Sequence, residues 1–173
     1  YPEGHPNAIT KLEDDFDLSR LSETEQMRLS QNQKGECFVC KDADYAKEMK
    51  YLKEKIDAGA DYIITQMFFD NQKFFDFVSK CRAAGITVPI IPGLKPIATK
   101  KQLNLIPYRF KVDLPDDLIK EIVKAKENEA VSQIGVEWCL QQSKELVAAG
   151  IPCLHYYSMG KADNIKAIAK KVY

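Results

Sequence analysis

Three times in this chain a helical stretch ends on Ala-Gly and passes at once into an apolar run, at Ala58-Gly59-Ala60, Ala84-Gly85-Ile86 and Ala149-Gly150-Ile151. Glycine supplies the left-handed conformation that closes a helix, so the chain turns into the next strand with no intervening loop. Helices alternating with strands through such tight joints predict right-handed crossovers and a parallel sheet, an α/β fold. The first joint opens the most informative strand. Tyr62-Ile63-Ile64 is an aromatic and β-branched run, read as a strand buried on both faces, with Thr65 and Gln66 at its carboxyl end. A buried amide must be hydrogen-bonded or face a ligand, and ligands of parallel sheets sit at the carboxyl ends of strands. Gln66 is therefore the first candidate residue. Asp70 follows as the N-cap of the next helix, whose apolar face carries Phe74, Phe77, Val78 and Cys81.

The remaining elements read in order. Tyr45, Met49, Leu52 and Ile56 recur at helical spacing up to Gly59. Thr87 to Ile91 reads as a second strand, closed by Pro92-Gly93. Thr99 is placed to cap a short helix with Gln102, Leu103 and Ile106, and Pro115 suits the first position of another. A longer helix spans about Glu129 to Ala149, Ile151 to Tyr157 forms the last strand, and Ile165, Ile168 and Val172 mark a final helix. Three strands are thus visible, together with the tail of one before Tyr1, whose opening Tyr1-Pro2-Glu3-Gly4-His5-Pro6 reads as a strand-end loop. That count falls short of a closed (β/α)8 barrel and fits half of one, so the chain reads as a piece of a longer protein.

Residues 9–44 break the pattern. They are polar and acid-rich, with a capping box at Ser22-Glu23-Thr24-Glu25 as their clearest local signal. They read as a surface insertion with too few apolar residues to build a core. Cys37 and Cys40 have the spacing of a redox or zinc pair, but no second Cys or His pair follows nearby, and they read as incidental thiols. Cys81, Cys139 and Cys153 occupy apolar positions and are expected to be buried and free, which suits a reducing, cytoplasmic setting. The 25 basic and 25 acidic residues among 173 cancel. Neither nucleic acid nor an anionic membrane is an expected partner. No apolar run approaches the ~20 residues that cross a bilayer.

Taken together, the opening loop, the Ala58–Asp70 stretch, Pro89-Ile90-Ile91-Pro92-Gly93 and Leu154-His155-Tyr156-Tyr157-Ser158-Met159 resemble the methylenetetrahydrofolate reductase family. They match the carboxyl-terminal half of its catalytic (β/α)8 TIM barrel, over nearly all of residues 1–173 except 9–44. The resemblance implies reduction of 5,10-methylenetetrahydrofolate to 5-methyltetrahydrofolate, with FAD as cofactor and NADH or NADPH as reductant, in a homo-oligomeric full-length protein. It assigns Tyr1, His5 and Ala8 to the adenosine side of FAD. Glu48, Tyr51 and Lys55 fall on the FAD-contacting helix, Lys55 being suited to a pyrophosphate; Glu48 stands where the family often has Asp, and Tyr51 departs from its pattern. Gln66 matches the glutamine that meets both folate and nicotinamide, and Gln102 a second folate-contacting glutamine. Lys161 stands where bacterial members place an Arg for the folate's glutamate tail, keeping the charge without the bidentate fork. No catalytic residue is expected within residues 1–173, because the family's general-acid glutamate and near-flavin aspartate belong to earlier strands; these residues alone are expected to be inactive. Two alternatives stay open on the sequence: a non-catalytic half-barrel that binds or assembles with another chain, and a different FAD-linked barrel oxidoreductase.

Overall fold

A computed structural model describes residues 1–173 apart from Glu3, Gln33 and Lys161. Its organising layer is a three-stranded parallel sheet in the order β4 (Ile63–Met67), β5 (Ile90–Leu94), β6 (His155–Tyr156). Helix α2 (Asp42–Asp57) precedes β4, α3 (Asn71–Ala83) connects β4 to β5, and α4 (Gln102–Phe110), α5 (Asp116–Lys124) and α6 (Asn128–Ala148) lie between β5 and β6. Helix α7 (Asp163–Val172) closes the chain. The three Ala-Gly joints behave as the sequence implies: Gly59, Gly85 and Gly150 all have positive φ, at 109°, 75° and 84°. Asp70 caps α3 by accepting the Gln72 N–H.

Two apolar clusters hold the helices to the sheet. The first joins Phe74, Phe77 and Cys81 of α3 with Ile90 and Leu94 of β5, Cys139 and Leu146 of α6, and Ile168 of α7. Phe68 and Phe74 stack within it, ring centroids 5.3 Å apart, so the Phe-rich stretch is core. The second gathers Met67, Phe69, Ile97, Leu103, Ile106, Leu118 and Ile122 beyond the strand ends. Helix α6 reaches both. It is tied to the β4–α3 junction by polar contacts as well: Trp138 Nε1 donates to the Phe69 carbonyl (2.9 Å), and Gln142 Nε2 to that of Phe68 (3.3 Å). Asn71 in turn donates to the Gln142 carbonyl and to Glu145.

Several boundaries and environments differ from the sequence reading. The strand around Ile64 is not buried on both faces: Tyr62 is 56% and Ile64 41% exposed, because Ile64 faces a cleft and β4 pairs with β5 alone among the described residues. The last strand is two residues long, and the second runs Ile90–Leu94, with Pro92 inside it and Pro89 before it. Pro115 stands at the N-cap of α5 rather than its first turn, and Thr99 does not cap α4. Cys81 and Cys139 are buried, whereas Cys153 is exposed.

Residues 9–40 hold the largest correction. They do build a core. Strands β1 (Ile9–Lys11), β2 (Ser30–Gln31) and β3 (Cys37–Cys40) form an antiparallel sheet in the order β1-β3-β2. Leu12, Leu21 and Val39 are buried together beneath it, with Phe16, Leu29 and Cys37 packed against them. The short helix α1 (Glu23–Met27) carries the complete capping box, Ser22 and Glu25 each bonding the other's backbone N–H. This unit is fastened to the start of α2 through Asp42, whose carboxylate accepts from Ser22, Thr24 and Arg28. Arg28 is only 7% exposed and also donates to the Cys40 carbonyl at 2.9 Å.

The hydroxyls of Ser22 and Thr24 and the Arg28 guanidinium hold the Asp42 carboxyl at about 2, below its ordinary 3.8. A carboxylate with a depressed folded-state pKa stabilises fully above its unfolded value, and that contribution disappears as pH falls through the folded one. Asp42→Asn should therefore be less stable than wild type near neutral pH, and the difference should shrink as pH falls from about 4 towards 2. Urea denaturation across that range measures it; a difference independent of pH would show that the carboxylate is not the fastening.

Candidate functional site

Strand β4 does not keep a regular ladder with β5. The register records the break. Ile63 pairs with Ile90 and Ile64 with Ile91, but Met67 pairs with Gly93, so β4 carries one extra residue across Thr65–Gln66. Such a bulge reverses the alternation of side chains beyond it. Ile63 accordingly packs with the first cluster and Met67 with the second. Thr65 repairs the ladder: its hydroxyl accepts the Gly93 N–H at 2.9 Å, and its carbonyl accepts the Tyr157 hydroxyl at 2.9 Å. The three groups fit only because residue 93 is glycine. A Cβ there would stand 2.3 Å from the Thr65 carbonyl oxygen and 2.8 Å from the Tyr157 ring.

The bulge leaves Gln66 half-buried at the carboxyl end of β4. Its amide oxygen accepts the Met67 N–H at 3.0 Å, and its amide nitrogen has no hydrogen-bond partner among the described residues. An amide fixed through its oxygen presents two N–H donors in a set direction. Gln66 lines a cleft of about 380 Å³ together with Tyr1, His5, Glu48, Lys55 and Ile64, among others. That volume lies within the roughly 300–1,000 Å³ range of small-molecule sites. Tyr1 and His5 meet edge to face with ring centroids 5.2 Å apart, an aromatic wall at one end. Lys55 makes no ion pair among the described residues.

Tyr45 supplies a further wall. Its ring lies between two cations, Arg28 at 4.6 Å and Lys80 at 4.9 Å from the centroid. Its hydroxyl is the one buried side-chain oxygen or nitrogen among the described residues without a hydrogen-bond partner, and burial pushes its pKa well above the usual tyrosine range. An unpaired ammonium, an aromatic pair and an oriented amide in one cleft form a donor set suited to a phosphate-bearing aromatic ligand.

The other sequence candidates are placed differently. Ala8 is buried beneath the cleft against Cys40 and Tyr45. Tyr51 is 43% exposed with Lys47 over its ring, and is not among the lining residues. Gln102 works locally: its amide oxygen accepts the N–H groups of Ala98 (2.7 Å) and Thr99 (3.1 Å), holding the turn that opens α4. Lys161 lies outside the described residues. His155 is half-buried, edge-on to Tyr157 at 4.7 Å. Lys95 is a residue that the sequence reading passed over. It directly follows β5, is half-buried, and burial pulls its ammonium below the usual lysine range. A lysine placed between an apolar strand and a proline was the available signal.

A parallel α/β sheet with a ligand cleft at its strand ends is the form of an α/β enzyme site. The family model for methylenetetrahydrofolate reductase matches residues 1–173, and the chain belongs to that family. Methylenetetrahydrofolate reductase (NADH) 1 of Zea mays is 35% identical over 160 residues, covering 92% of this chain and 23% of the maize protein. Methylenetetrahydrofolate reductase 1 of Schizosaccharomyces pombe is 37% identical over 132 residues, covering 76% and 22%. The 5,10-methylenetetrahydrofolate reductase of Salmonella typhimurium is 33% identical over 119 residues, covering 68% and 40%. The chain thus spans well under half the length of these relatives. A solved structure of an uncharacterized Clostridium thermocellum protein, described as binding two copies of 5-methyl-5,6,7,8-tetrahydrofolic acid, superposes with a TM-score of 0.52. It covers 73% of this chain and 47% of its own at 22% identity, a likeness of fold.

Gly93→Ala should cost about 3 kcal/mol or more, because the added methyl meets backbone on one side and the Tyr157 ring on the other. Denaturant midpoints measure this. A loss below about 0.5 kcal/mol would show that the bulge region yields freely.

Proposed function

We propose that these residues form part of a flavin-dependent oxidoreductase that reduces 5,10-methylenetetrahydrofolate to 5-methyltetrahydrofolate with NADH or NADPH, in one-carbon metabolism. The observation that carries this reading is Gln66, an oriented amide at a parallel strand end, sharing one cleft with Lys55, Tyr1 and His5 in a chain of this family. On this reading residues 1–173 supply roughly the carboxyl-terminal half of a (β/α)8 barrel, with 9–44 added at its surface. The exposed Tyr62 and Ile64 of the β4 region support further structure packing there. The Clostridium protein's described ligand supports a folate on this fold.

When bound, FAD supplies the two-electron relay between nicotinamide and folate. Lys55 holds its phosphates as a point charge, and Tyr1 and His5 flank its adenosine side. Gln66 donates from its amide nitrogen to whichever of the two alternating substrates occupies the strand end. Gln102 keeps its amide NH2 group available while its oxygen holds the turn, and Lys161 carries the charge for a carboxylate tail. The general acid and the aspartate near the flavin come from other strands, so residues 1–173 expressed alone should not turn over.

In the full-length protein, Gln66→Ala should slow both half-reactions. A lost hydrogen bond costs about 1 kcal/mol, about fivefold in rate for each. Flavin absorbance in separate reductive and oxidative half-reactions measures the two rates; unchanged rates in both would overturn the assignment. Lys55→Met should weaken FAD binding by about tenfold, the worth of one charge-assisted hydrogen bond, read from flavin fluorescence on dilution.

A further inference from the structure

A second and larger cavity, of about 770 Å³, lies between the antiparallel sheet and α4. None of its lining residues lines the Gln66 cleft. Its apolar walls face one another: Phe38 of β3 on one side, Leu105, Pro107 and Tyr108 of α4 on the other. Leu105 is 47% and Tyr108 76% exposed, so this wall leaves apolar surface in water. The charges are uneven. Glu36 is engaged by Lys11 and Asn32, and Asp113 by Lys73. Lys34, Lys101 and Lys111 also line the cavity and make no ion pair among the described residues.

Lys111 is held in an unusual way. It ends α4 with φ of 53°, a left-handed conformation uncommon for a residue with a side chain. Its ammonium stands 5.1 Å from the Phe38 ring centroid and 5.5 Å from that of Tyr108, between one ring from each wall. An ammonium against ring faces keeps its N–H donors free for an acceptor.

We infer that this cavity is a second ligand site, separate from the Gln66 cleft, for a small organic anion with a planar apolar body. The acid group meets Lys111, with Lys34 and Lys101 adding charge, and the ring system lies along Phe38, Leu105 and Tyr108. Nothing in this assignment rests on Gln66 or on the reductase reaction.

The test titrates the protein at its full natural length with 8-anilinonaphthalene-1-sulfonate, which joins fused and single aromatic rings to one fixed negative charge. Its uncharged parent, N-phenyl-1-naphthylamine, is titrated in parallel. Lys111→Asn removes the charge with a residue that tolerates the left-handed conformation. Tyr108→Glu sets a carboxylate at an exposed position, and thermal unfolding of each variant reports on its fold. Saturable sulfonate binding is expected, weakened about tenfold or more in both variants. Lys111→Asn should leave binding of the uncharged parent as it was, and Gln66→Ala should leave sulfonate binding as it was. Unchanged sulfonate affinity in both variants, equal losses for the two probes, or loss in Gln66→Ala would each overturn the assignment.

Discussion

A one-residue bulge in β4 organises the site. Strand β4 carries one residue more than β5 across Thr65–Gln66, which interrupts the backbone ladder there. Thr65 then supplies from its side chain what the backbone lacks, accepting the Gly93 N–H, while Tyr157 from beyond β6 closes on the Thr65 carbonyl. The absent Cβ of residue 93 leaves room for both. Three residues on three segments, Thr65, Gly93 and Tyr157, thus fit together beside Gln66.

Helix α6 fixes the same region from outside the sheet. Trp138 and Gln142 donate to the carbonyls of Phe69 and Phe68, the first backbone acceptors past the strand. Its neighbour Gly135 lets the Ile97 backbone approach so closely that a Cβ would lie 1.8 Å from the Ile97 oxygen. Strand ends that would otherwise be irregular loop are therefore held between the bulge and a long helix. This is how a cleft at the carboxyl edge of a sheet keeps a defined shape without regular structure around it.

The parts legible in the sequence are those specified locally. The Ala-Gly joints, the Asp70 cap, the Ser22–Glu25 box and the helical periodicities each depend on residues within a few positions, and the structure contains all of them. Gln66 was legible as an amide set into an apolar run. The antiparallel sheet was not, because β2 is two residues long and β1 pairs with β3 across an intervening helix and strand. Its core of Leu12, Leu21 and Val39 follows no period. The exposure of Ile64 and Cys153 depends on what packs opposite, which periodicity does not encode. The capping work of Gln102 was hidden because its partners, the Ala98 and Thr99 N–H groups, precede the helix instead of belonging to it.

Arg28 joins these two levels of organisation. One planar guanidinium grips the Cys40 carbonyl and Asp42 while lying over the Tyr45 ring, and Tyr45 is a wall of the Gln66 cleft. The guanidinium is planar and nearly enclosed, so it has little room to shift without disturbing all three partners. The sheet, the start of α2 and the cleft wall thus share one side chain as a common packing partner.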